Sequence, residues 1–177
     1  MSFQMTAKTL NALKGWPSLH AVDFSTKFDP AIPSIDLPVP PGACVSLNSA
    51  GNYILGVGNS KVMPLFTFYG SDDPSVSLSG GNPATDPGVY VGFSPSGNAL
   101  ALVGCGAYEL LTTNFVSGSY PPNTALTSAK SGGSNPGKLV AGTMHTNMIV
   151  GIVSRGVINN GYGHAALAFW PCPVFPA

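Results

Sequence analysis

From Gly42 onward the chain alternates short apolar runs with clusters of turn-forming residues. Runs of about four to eight residues rich in Val, Ile, Leu, Tyr and Phe, bounded by Gly, Pro, Asn and Ser, read as strands. They predict strands at 43–47, 53–57, 62–69, 89–93, 98–103, 107–112, 138–142, 148–154 and 165–170. Between them stand the turn signals Asn48-Ser-Ala-Gly-Asn, Gly80-Gly-Asn-Pro, Ser94-Pro-Ser-Gly-Asn and Asn159-Asn-Gly-Tyr-Gly. No apolar period of helical length follows residue 15. Short strands at this spacing predict an all-β fold, a β-sandwich or jelly roll or else a small β-barrel.

The first 41 residues follow a different pattern. Residues 7–14 predict two turns of helix, with Thr6 as N-cap and Gly15 and Pro17 as the stop. A helix this short is not stable alone and needs a surface to lie on. Pro30, Pro33, Pro38, Pro40 and Pro41 follow, with Ile32, Ile35 and Leu37 among them. Proline fixes φ and removes donors, so this piece predicts an extended strap without its own hydrogen-bond ladder. The division is therefore a Pro-rich N-terminal arm at 1–41, carrying at most one short helix, and a β-rich body at 42–177 with a possible subdivision near residue 106. Trp16, Phe24, Phe28, Ile32, Ile35 and Leu37 are the arm's candidate anchors on a neighbouring subunit or partner. The competing reading folds them back onto the chain's own sheet. On the arm reading, removing residues 1–28 abolishes attachment and leaves a folded body. Residues 70–88 and 117–137 read as loops too polar to be core, exposed where contacts are made.

Charge changes the picture more than length does. Seven basic and seven acidic residues make up 8 % of the 177, with zero net charge, where an ordinary domain carries about 25 %. Mean hydropathy is positive, yet no apolar run approaches the roughly 18 residues of a membrane span. A surface so short of charge is expected to be covered by other protein, which favours an assembly component over a diffusing enzyme. Zero net charge argues against nucleic acid as a partner, and no membrane association is expected. The opening Met-Ser-Phe-Gln-Met has no basic stretch followed by an apolar one, so no secretion signal is expected. Cys44, Cys105 and Cys172 are odd in number and far apart, so they read as small buried hydrophobes and not as a disulfide framework or zinc site.

The candidate chemistry is sparse. Asp72 and Asp73 before Pro74 have the oxygen donors for Ca²⁺, but the spaced acids of a calcium loop are missing. Turn chemistry is preferred there. His20, His145 and His164 are too scattered for zinc, and no Gly-x-Ser-x-Gly elbow accompanies them. Gly56-Val-Gly and Gly104-Cys-Gly lack a third glycine and a following helix. Gly104 and Gly106 predict a bulge or a close backbone approach. Arg155, the only arginine, is a candidate bidentate partner for Glu109, the only glutamate. No catalytic residue, metal ligand or cofactor is expected.

One further pattern spans residues 42–176. Ala107-Tyr-Glu-Leu-Leu-Thr-Thr is followed by Tyr120-Pro-Pro-Asn-Thr-Ala-Leu-Thr, Gly137-Lys-Leu and Ile149-Val-Gly-Ile-Val-Ser-Arg-Gly-Val. The chain ends with Asn160-Gly-Tyr-Gly-His and Leu167-Ala-Phe-Trp-Pro, and Met63-Pro-Leu-Phe and Gly70-Ser-Asp-Asp-Pro-Ser-Val stand earlier. This layout resembles the capsid decoration, or cement, proteins of tailed bacteriophages. The resemblance implies a small, tulip-like β module without catalysis, often a homotrimer. Such a protein is made in the host cytoplasm, docks on the virion's outer surface and bridges neighbouring copies of the major capsid protein. Many such proteins are shorter than this chain. Two other readings remain open: a head-fibre or tail protein for host attachment, and a carbohydrate-binding β-sandwich with Tyr90, Phe93 and Tyr162 as its platform.

Overall fold

Two long strands organise the last third of the chain and contribute Val150, Val153, Leu167 and Phe169 to the main core. The computed structural model describes residues 10–14, 19–23, 29, 42–58, 60–67, 100–130, 132–160 and 163–177, with the backbone alone for 10–14, 19–23 and 100–103. The strands are β1 (Leu10–Lys14), β2 (Leu19–Asp23), β3 (Cys44–Leu47), β4 (Tyr53–Leu55), β5 (Leu65–Thr67) and β6 (Leu100–Val103). They continue as β7 (Glu109–Thr112), β8 (Ala125–Ser128), β9 (Leu139–Ala141), β10 (Ile149–Asn159) and β11 (Ala165–Val174). No helix is found among the described residues, and the fold is all-β.

The strands form two antiparallel sheets, one ordered β1-β7-β11-β10-β8-β9 and the other β2-β6-β5-β3-β4. Successive side chains on a strand point to opposite faces. On β7 and β11, Leu110 pairs with Phe169 while Leu111 pairs with Ala168. Leu110, Leu167 and Phe169 join the main core with Cys44, Phe66, Leu126, Leu139, Met148, Val150 and Val153, drawn from both sheets. Leu111, Ala166 and Ala168 form a smaller cluster with Ile158 on the opposite side.

Backbone bonds outside the ladders tie the sheets together. Cys44 on β3 donates to the Gly137 carbonyl at 2.8 Å, and Gly137 donates to Ala129 at 3.1 Å. Val57 and Gly58, just past β4, donate to the Ser128 carbonyl at the end of β8. Gly56 has φ +70°, and a Cβ there would lie 1.7 Å from the Ala129 carbonyl oxygen. Only glycine lets these two backbones approach so closely. Tyr108 and Tyr120 each donate their phenol hydroxyl to the carbonyl four residues back, Gly104 and Val116.

Two expectations are corrected. Residues 10–14 form no helix: Leu10–Lys14 is β1, with Leu10 opposite Thr112 and Ala12 opposite Leu110. Ladder bonds to β7 override the helix propensity of Leu, Ala and Lys, which is a weak bias. Residues 117–137 are not all polar loop, because β8 lies within them, paired with β9 and β10, and Leu126 is fully buried. Finally, β1 and β2 pair with β7 and β6, so removing residues 1–28 takes one edge strand from each sheet.

Candidate functional site

The chemistry concentrates where β10 breaks its register. Val153 pairs with Phe169 and Gly156 with Ala168, so Ser154 and Arg155 are extra residues on β10 with no counterpart on β11. Such a bulge bends the strand and re-aims side chains. Gly156 makes it possible: its φ is +89°, and a Cβ there would sit 2.9 Å from the Tyr120 carbonyl.

Both bulge side chains reach Glu109 at the start of β7, across the intervening β11. Arg155 Nε donates to Glu109 Oε1 at 2.9 Å, and Arg155 Nη2 donates to Oε2 at 2.7 Å. The Ser154 hydroxyl donates to the same Oε1. The expected pairing of the only arginine with the only glutamate is therefore present, and it is bidentate. The Glu109 side chain is 1 % exposed and that of Arg155 45 % exposed. A carboxylate taken out of water needs such a partner, because an uncompensated buried charge costs several kcal/mol. β7 and β10 are tied across β11 by one cluster, and the guanidinium keeps an open side. Trp170, 36 % exposed, lies opposite Ile152 just before the bulge. Trp and Arg are both residue types enriched at binding hot spots.

No family model, curated protein or solved structure matches the chain. Function must be read from these side chains and their surroundings.

Other large apolar side chains are also open to solvent: Leu47, Met63, Met144, Val157 and Phe175. His145 is exposed with φ 67°, and its carbonyl accepts from the Ala177 N–H, so Met144 and the Phe175 end of the chain lie together. His164 is exposed at the β10–β11 turn, where its N–H meets Asn160 Oδ1. His20 lies on β2. Among the described residues no group of three or more His, Cys, Asp or Glu is placed to hold a metal ion.

Cys44 is fully buried, and Cys105 and Cys172 are half-buried; all three are free thiols. Burial, with a smaller contribution from Cys172, pushes the Cys105 thiol up to about 12. Burial also raises Cys44, against the lowering effect of the neighbouring Ser128 hydroxyl. Gly106 lies under a side chain and not against a second backbone within a strand pair as expected: a Cβ there would sit 2.4 Å from the Tyr108 ring.

Trp16, Phe24, Phe28, Ile32, Ile35 and Leu37 lie outside the described residues, as do Asp72, Asp73, Tyr90, Phe93 and Tyr162. Sequence reasoning missed Ser154 and Trp170. The step Ser-Arg-Gly inside an apolar run was the available signal for the first, since Gly in a strand often marks a bulge.

Proposed function

We propose that this chain is a non-enzymatic structural protein of a phage virion, docking on the outer capsid surface and cementing neighbouring capsomers. The observation that carries the reading is a protein surface nearly free of charge that leaves large apolar side chains open. With 8 % charged residues, the chain still exposes Met63 at 57 % and Phe175 at 49 %. Such a surface binds through apolar burial and backbone hydrogen bonds, and modest contacts repeated over a lattice become strong through multivalency.

The proposed architecture is a β-sandwich or jelly roll, or a small tulip-like barrel, with residues 1–41 serving in part as an arm. Core residues drawn from both sheets support face-to-face packing. Two tyrosines bonding back to backbone carbonyls are also in keeping with Greek-key sandwiches. The proposed partners are the major capsid protein and two further copies of this chain, the trimer closing on itself by symmetry. Trp16, Phe24, Phe28, Ile32, Ile35 and Leu37 are the proposed contacts of the arm.

Cryo-electron microscopy of the virus particle tests this directly. Hundreds of copies over capsomer junctions are the expected result. A handful at a vertex or tail would move the role to host attachment, and absence from the particle would overturn the virion reading. Point substitution of Phe24 and Phe28 by Ala tests the arm without deleting β1 or β2; unchanged particle binding would remove those residues from the interface.

A further inference from the structure

Cys105 and Cys172 are 67 positions apart in sequence, yet they flank a single backbone hydrogen bond. Gly106 donates its N–H to the Pro171 carbonyl at 3.3 Å, where the segment entering β7 runs beside the end of β11. Cys105 immediately precedes Gly106 and Cys172 immediately follows Pro171, so both cysteines adjoin this one contact between the two segments. A disulfide between them requires Cα atoms about 4.4–6.8 Å apart, a separation that the oxidised state would fix between these two segments. Both thiols are free and half-buried, so a small oxidant can reach them. Cys44, fully buried on β3, is shielded from the same reagent.

We propose that Cys105 and Cys172 form a redox latch, closing to an intramolecular disulfide that ties the start of β7 to the end of β11. The oxidant is a low-molecular-weight disulfide such as oxidised glutathione. The Cys172 thiolate attacks one of its sulfurs and releases one small thiolate, leaving a mixed disulfide on Cys172. The Cys105 thiolate then attacks the Cys172 sulfur, expelling the second small thiolate. The two protein thiol protons pass to the two released thiols, the protein is oxidised by two electrons, and the reagent is reduced by two. The reduced state persists at neutral pH because exchange requires thiolate, which burial disfavours at both residues. Closure is therefore slow near pH 7 and accelerates about tenfold per pH unit towards pH 9.

The test is disulfide mapping of the full-length folded protein after incubation with oxidised glutathione at pH 8.5, with alkylation before and after denaturation. The expected result is a mass loss of two hydrogens, a 105–172 crosslinked peptide, and Cys44 alkylated only on denaturation. The latch should raise Tm on the order of 5–10 °C, reversed by dithiothreitol. Cys105→Ser and Cys172→Ser should each abolish the intramolecular link, while Cys44→Ala should keep it. Persistent alkylation of both Cys105 and Cys172 in the oxidised sample would overturn the proposal. So would a bridge that includes Cys44, or one that joins two chains. Wild-type mapping decides the matter even if a serine variant fails to fold, and no outcome depends on particle binding.

Discussion

Phe66 on β5 and Phe169 on β11 meet edge to face, ring centroids 5.2 Å apart and planes at 61°. Both are fully buried, and each belongs to a different sheet. The contact therefore couples the two layers at the centre of the core. Phe169→Ala should cost about 3–5 kcal/mol, from lost transfer free energy and the cavity left behind. Urea denaturation measures it. A double-mutant cycle with Phe66→Leu should give a coupling of about 0.5–1.5 kcal/mol beyond area burial. Additive effects would mean that the rings do not support one another.

The Arg155–Glu109 pair makes a different kind of prediction. Its carboxylate is buried and its guanidinium half exposed, which places it between surface pairs and fully buried ones. Arg155→Ala should destabilise by about 1–3 kcal/mol, chiefly by depriving a buried carboxylate of its fork. Arg155→Lys should recover only part of this, since an ammonium cannot span both oxygens. Equal stability of the Lys variant and the wild type in guanidinium-free urea melts would count against the bidentate geometry.

How much of this was legible beforehand depends on the range of the interaction. Most strands after Gly42 announce themselves locally: Ile149-Val-Gly-Ile-Val and Ala166-Leu-Ala-Phe carry enough apolar residues to be read directly. β8 was hidden because its four residues include Thr127 and Ser128 and sit in a Gly- and Pro-rich neighbourhood. β1 was hidden because Leu-Asn-Ala-Leu-Lys favours a helix until β7 supplies a ladder. Arg155 and Glu109, 46 residues apart, were paired only by being the sole members of their types. No local pattern could show that a bulge aims one at the other, nor that Cys105 and Cys172 flank one backbone hydrogen bond.

Two glycines separate backbone strain from steric exclusion. Gly51 and Gly56 both have positive φ, +79° and +70°. A Cβ at Gly51 meets nothing within 4 Å, whereas one at Gly56 would overlap the Ala129 carbonyl. Gly51→Ala should therefore cost only the left-handed penalty of about 1–2 kcal/mol. Gly56→Ala must also break the approach of β4 to β8, and it should cost more than about 3 kcal/mol or prevent folding altogether. Comparable melting temperatures for the two variants would contradict the close approach.

Alkaline pH should unfold this protein sooner than its low charge suggests. Burial raises the Cys44 thiol well above its ordinary value near 9, Cys105 to about 12, and Tyr108 from near 10 to about 12. These groups are neutral in both states below pH 9, so their stabilising effect is fully present there. Above it the unfolded chain releases protons that the folded chain retains, and stability falls as pH rises through the window from 9 to 12. The slope is at most about 1.4 kcal/mol per pH unit for each fully buried group, which describes Cys44; the half-buried Cys105 contributes less, and Tyr108, displaced only from near 10 to about 12, acts over the narrowest window. Urea melts between pH 7 and 11 should be flat to about pH 9 and then decline. Cys44→Ala should remove the largest share of that decline. A profile unchanged by that substitution would show that the alkaline limit is set elsewhere in the fold.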